Sequence, residues 1–242
     1  MSLTVAYPAA AALNSQPDAA ATIIRSVATQ VRRQVPCEPD SLAVSLPALI
    51  NACRVVEVNG QRLSVSWELG RPLLDEQGYT VLGLCDIDPH EPGWAYIAVN
   101  GPMTEHRPDL ALSTAAHELG HLLFDVPAAM ARGERRYRAV ATSAGALHRT
   151  GRGAEARANE FMGALLVPPV PLHTRLLAYA RSEGLRLCRG PHQGRPASPI
   201  VAASNRSETL AGVVSALAGD FGVSERFIAV RLSRYGLVEG GV

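Results

Sequence analysis

The 242-residue sequence contains no lysine; all 23 of its basic residues are arginine. Beside abundant alanine this absence reflects codon usage and not a binding signal, and the formal net charge of +1 is ordinary for a soluble globular protein. Cysteine is scarce and dispersed. Cys37, Cys53, Cys85 and Cys188 form no C-x-x-C pair, which excludes a zinc ribbon or a dense disulfide frame and makes a reducing cytoplasm the expected compartment. No stretch approaches the ~18 apolar residues that a bilayer span needs. The alanine-rich run from Ala9 to Leu13 has no basic residue ahead of Arg25 and no long apolar core, so a secretory signal is not expected. No internal repeat at solenoid spacing is present.

The sequence does hold one segment dense in chemistry: Leu112 to Phe124, LSTAAHELGHLLF. On a helix, His117 and His121 project from one face about one turn apart, so both imidazoles can reach a single Zn²⁺. Glu118 points about 100° away from His117, beside such a metal, where its carboxylate can take a proton from water. Ala115, Ala116, Leu119, Leu122, Leu123 and Phe124 predict that this helix is buried, and Asp109 after Pro108 is a plausible start.

Around this helix the pattern predicts an α+β chain. Residues 1–17 read as a loose N-terminal tail. Helical spacing of Ile23, Ile24, Val27 and Val31 predicts a helix from Asp18 to about Val35, stopped by Pro36. Asp40 or Ser41 could cap a second helix through Leu49, with Pro47 a local disturbance. Alternation then predicts strands at Arg54–Val58, Arg62–Glu68, Thr80–Asp86 and Trp94–Val99, the first two joined by an Asn59-Gly60 hairpin turn. The expected sheet is small and antiparallel, packed on the His-Glu-x-x-His helix. After Asp125-Val126-Pro127 the chain turns basic and loop-like, with seven Arg against two Glu from Met130 to Arg157. Helices follow at about Ala154–Val167 and Pro171–Ser182. The expected organisation is a zinc domain over residues 18–188, a connecting loop over 189–206 and a helix-turn-helix-like subdomain over 207–242, with Ser224 capping its second helix.

A catalytic zinc needs a third protein ligand. The metzincin arrangement would place Gly at 124 and His at 127; Phe124 and Pro127 stand there instead, so that class is excluded. Two carboxylates, Glu155 and Glu160, lie on the next helix. Ala158, Phe161, Met162 and Leu165 form its apolar stripe. Glu155, seven residues before Met162, shares that side, whereas Glu160 lies about 200° from Met162 on the more exposed face. Glu155 is therefore the candidate ligand, and Asn159 could orient a zinc histidine. An exposed first-turn Glu favoured by the helix dipole is the competing reading of Glu155.

AAHELGHLLF followed by EARANEFMGALLVPP resembles the ImmA/IrrE metallopeptidases, whose second motif reads here as Glu155, Ala158, Asn159, Phe161 and Leu165-Leu166-Val167-Pro168. The strand AYIAVN and the late segment LAGDFGVSERFIAVRLSRYGLV are similar to that family's corresponding parts, so the resemblance covers most of residues 18–237. Leu112 and Ser113 replace a commonly Arg-aromatic pair, and Arg157 stands where an acidic residue is frequent. The resemblance implies a gluzincin-like, cytoplasmic zinc endopeptidase whose substrate is another regulator, typically a helix-turn-helix repressor in phage, mobile-element or stress-response control.

Other features carry less. The C-terminal helices hold Arg226, Arg231 and Arg234, which could meet DNA phosphates, although Phe227, Ile228, Leu232, Tyr235 and Leu237 need burial and suit a packed cap equally well. Tyr137, His148 and His173 are possible donors to a developing oxyanion. His90 and His106, in loops, carry no signal. The reading is thus Zn²⁺ on His117, His121 and Glu155 with Glu118 as base. The rival reading is a DNA-binding or protein-interaction regulator, such as a toxin–antitoxin partner, that keeps a zinc site without cleavage.

Overall fold

At Asn59 and Gly60 the backbone is left-handed (φ 51° and 82°), the geometry of a two-residue hairpin turn whose twist matches the strands it joins. These strands are β2 (Val55–Val58) and β3 (Gln61–Glu68), and they pair antiparallel. The structure is a computed structural model; it describes residues 2–8, 17–87, 90–91, 93–134, 138–141, 152–192 and 195–241. The chain divides into two compact units, Met1–Cys37 with Ser45–Leu165, and Glu38–Val44 with Leu166–Val242.

The first unit is mixed α+β. To the hairpin it adds β1 (Leu3–Val5), α1 (Pro17–Gln34), α2 (Leu46–Ala52), β4 (Gly83–Ile87), β5 (Trp94–Val99), α3 (Gly101–Thr104), α4 (Pro108–Ala131), β6 (Arg138–Ala141) and α5 (Arg152–Leu166). Among the described residues six strands form one sheet in the order β1-β2-β3-β5-β4-β6. The sheet is not antiparallel throughout, as expected from the sequence: β1 runs parallel to β2 and β3 parallel to β5, because β4 lies outside β5 and not between the two.

Two of these strands were not foreseen. β1 falls inside the expected loose tail. Leu3 and Val5 are buried (2% and 1% exposed) and only Thr4 between them faces out, too short an alternation to register in a sequence. What holds this edge strand is a pair of side chains on α1. The Gln34 amide accepts from Thr4 N and donates to Thr4 O, and Gln30 does the same for Ala6, so the open edge is satisfied without another strand. β6 pairs with β4 from within the stretch read as a basic loop. The second helix also starts later than expected. Asp40 is left-handed (φ 62°), while Ser45 caps α2 by accepting from Ala48 N and Pro47 occupies the first turn, where a missing N–H costs nothing.

Helix α4 carries the His-Glu-x-x-His motif. It is apolar on nearly every side, and Leu112 and Thr114–Val126 are buried without a break. Its inner face packs on β4 and β5. The helix does not end at Asp125-Val126-Pro127, as the sequence suggested; it runs through Pro127 to Ala131. Proline there removes the N–H that would bond the Leu123 carbonyl one turn back. The Tyr7 hydroxyl donates to that carbonyl at 2.5 Å, and its ring packs on Phe124.

The second unit contains α6 (Pro169–Ser182), β7 (Leu187–His192), β8 (Arg195–Val201), α7 (Ser207–Phe221) and α8 (Glu225–Arg234). The expected connecting loop is instead a β7–β8 hairpin. Its prolines, 191, 196 and 199, disguise it in the sequence, and such residues are tolerated in a two-stranded ribbon with outward-facing edges. Gly222 (φ 65°) closes α7 and the Ser224 side chain accepts from Phe227 N at the start of α8, as the sequence indicates. Among the described residues no single helix is long and apolar enough to cross a membrane.

Candidate metal centre

Three ligand-type side chains converge between α4 and α5. His117 Nε2 and His121 Nε2 are 3.2 Å apart, Glu155 Oε2 is 3.3 Å from His117 Nε2, and Glu155 Oε1 is 3.2 Å from His121 Nε2. Among the described residues this is the group of His, Cys, Asp and Glu side chains placed to hold a metal ion. The i, i+4 spacing puts both imidazoles on one face of α4, and Glu155 reaches them from the first turn of α5. The helices meet closely at Gly120, where an added Cβ would stand 2.9 Å from Ala158 Cα.

Both histidines are buried (7% and 0% exposed). His121 Nδ1 lies 2.8 Å from Asp125 Oδ2, so Nδ1–H donates to that carboxylate and the ring is turned with Nε2 towards His117 and Glu155. Asp125 is itself held: Arg157 places Nη2 at 2.5 Å and Nε at 3.2 Å from Oδ1. Burial would push the Asp125 carboxyl up, but the His121 hydrogen bond and the Arg157 charge hold it below the usual carboxylate range. The same competition acts on Glu155. Burial raises it, while hydrogen bonds from His117 and His121 outweigh burial and keep it ionised, at about 2.

Glu118 is different. Its side chain is fully buried, and neither carboxylate oxygen has a hydrogen-bond partner among the described residues. Burial pushes its carboxyl up to about 7 despite the opposing pull of His117 and His121, with Glu155 adding to the rise. Gly83 on β4 supplies the space it occupies.

The remaining candidates separate from this cluster. Glu160, expected on an exposed face, is 2% exposed and paired with Arg25 of α1 at 2.7 Å. The periodicity of α5 alone did not show that α1 covers that face. Asn159 is half-buried. His173 spends its Nε2 on the Pro199 carbonyl at 2.7 Å within the second unit, and Tyr137 and His148 lie outside the described residues. Arg231, counted among possible phosphate contacts, is 3% exposed, with its guanidinium over the Phe227 and Tyr235 rings; Arg226 and Arg234 are exposed. Asp125 and Gly83 were missed. The signal for Asp125 was its position four residues after His121, hidden by reading Pro127 as the helix end.

Two imidazoles and a carboxylate gathered beside a buried glutamate on an α+β scaffold form a group that could hold a metal ion, a donor set of the kind metal-dependent hydrolases use. The chain belongs to the M78 peptidase family: the model of the IrrE N-terminal-like domain matches residues 102–233, more than half of the sequence. The match takes in α4, α5 and most of the second unit. No curated protein matches the chain.

Proposed function

We propose that the chain is a zinc-dependent endopeptidase that cuts a regulatory protein, a helix-turn-helix repressor being the first substrate to try. One observation carries this: the two imidazole Nε2 atoms stand 3.2 Å apart, with the two Glu155 oxygens 3.2 and 3.3 Å from them, beside a buried carboxylate that has no hydrogen-bond partner among the described residues. Three corners of a tetrahedron around zinc, at about 2.0–2.1 Å from its centre, lie ~3.3 Å apart. Two nitrogens and one oxygen are also a donor set that zinc accepts in hydrolases, with a fourth position left for water or substrate. His117, His121 and Glu155 would hold the ion.

When bound, zinc would polarise the scissile carbonyl and make water more acidic. The chain's own groups supply the rest. Glu118 receives the proton of the attacking water on a free carboxylate oxygen and delivers it to the leaving amine nitrogen. A carboxyl pushed up towards neutrality suits both transfers. Asp125 fixes the His121 tautomer.

The membership of the chain in a peptidase family supports this reading. So does the burial of Arg231, which takes one cation out of reach of phosphate and weakens the rival DNA-binding reading. The test is incubation of wild type and Glu118→Gln with a candidate repressor, followed by mass analysis of fragments. Wild type should cleave and a chelator should silence it. Glu118→Gln should keep its zinc and lose about 10²–10⁴-fold in rate. If Glu118→Gln reproduces the biological effect of the wild type, cleavage is not the function.

A further inference from the structure

Resting on the metallopeptidase reading, we infer that Asp125 and Arg157 act as a positioning pair: Arg157 clamps the Asp125 carboxylate, and Asp125 aims the His121 imidazole at the metal. The contacts run in series. His121 Nδ1 meets Oδ2 of Asp125 at 2.8 Å, while Arg157 Nε and Nη2 both grip the other oxygen, Oδ1. A carboxylate held at one oxygen by two donors cannot swing freely about its Cβ–Cγ bond, so the second oxygen stays in line with the imidazole. The His121 and Asp125 side chains are 0% and 5% exposed and that of Arg157 is 18% exposed, so solvent screens little of this interaction.

The pair also joins the two ligand-bearing elements. Asp125 follows His121 by one turn of α4, and Arg157 follows Glu155 by two residues on α5. The Asp125–Arg157 contact therefore ties together the segments that carry the histidines and the glutamate. Arg157 was a departure from the resembled sequence pattern, and nothing in the spacing gave it a role. The fold gives it one.

The test compares full-length wild type, Asp125→Asn, Arg157→Gln and the double variant. Arg25→Gln serves as a control for losing a buried ion pair away from the ligands. Zinc affinity is read by competition with a chromophoric chelator, and ligand geometry from the visible spectrum of the cobalt(II)-substituted proteins. Asp125→Asn should bind zinc about 10–100-fold more weakly with an altered cobalt spectrum. Arg157→Gln should lose several-fold, and the double variant should bind no more weakly than Asp125→Asn alone. Arg25→Gln should lower the melting temperature and leave zinc affinity unchanged. The proposal is overturned if Asp125→Asn binds within threefold of wild type with an unaltered spectrum, or if the two losses multiply in the double variant. If Asp125→Asn does not fold, Arg157→Gln decides alone, and unchanged affinity and spectrum overturn the proposal. Wild type that takes up no zinc would instead defeat the metallopeptidase reading on which the pair rests.

Discussion

A methyl group on Gly83 would stand 2.5 Å from Oε1 of Glu118 and 2.6 Å from Cγ2 of Thr114. The strand backbone and the proposed base are therefore in direct contact, and the only residue that leaves the carboxylate its place is glycine. Gly83→Ala should push Glu118 aside by a few tenths of an ångström or more without touching a metal-ligating atom. Bound zinc should be unchanged and cleavage should fall by about 10²-fold, the scale of a misplaced reacting group. Metal content and turnover measured on the same preparation check this, and unaltered turnover would show that the contact is unimportant.

Glu155 and Glu160 share a helix and should behave oppositely. Glu155→Ala removes one of three donor atoms and should abolish stable zinc binding, with little effect on the fold of the metal-free protein. Glu160→Ala strips a buried partner from Arg25 and should cost about 1–3 kcal/mol while zinc is retained. Denaturant titration and elemental analysis separate the two. Equal zinc retention in both variants removes Glu155 from the site.

Tyr7 and Pro127 should be coupled. The hydroxyl of Tyr7 serves the Leu123 carbonyl, which proline leaves without its helical donor. Tyr7→Phe should therefore destabilise the protein by about 1–2 kcal/mol. In a Pro127→Ala background the restored N–H takes over, and the same substitution should cost measurably less. Additive losses in this double-mutant cycle would mean that the two residues act independently.

The C-terminal helices should contribute little to nucleic-acid affinity, because Arg231 is buried among Phe227 and Tyr235. Binding of duplex DNA, if seen at low salt, should weaken only shallowly as salt rises. A steep salt dependence lost in Arg226→Ala with Arg234→Ala would reverse that conclusion.

How much of this was legible in the sequence follows a physical division. Features fixed by neighbours along the chain could be read: the Asn59-Gly60 turn, the Ser224 cap, the burial of α4 and the i, i+4 histidines. Features fixed by a distant partner could not. Glu160 lies on what its own helix presents as the more exposed side, and its partner Arg25 is 135 residues away. β1 is too short to show a period, and its anchors are glutamines on α1. Pro127 broke the helix in the sequence reading because its compensation, Tyr7, is 116 residues from Leu123. Asp125 was lost with it, since a residue thought to lie past the helix end has no fixed direction.

The bare contact of Gly120 with Ala158 makes the gap between α4 and α5 a calliper. With no side chain on Gly120 at this contact, the α4 backbone comes close to that of α5 at Ala158, and that close approach helps to space the histidines from Glu155. On the zinc reading, the ion is chosen by width as well as by donor type. Gly120→Ala would wedge the jaws open by a few tenths of an ångström and turn the preference from zinc towards a larger ion such as cadmium.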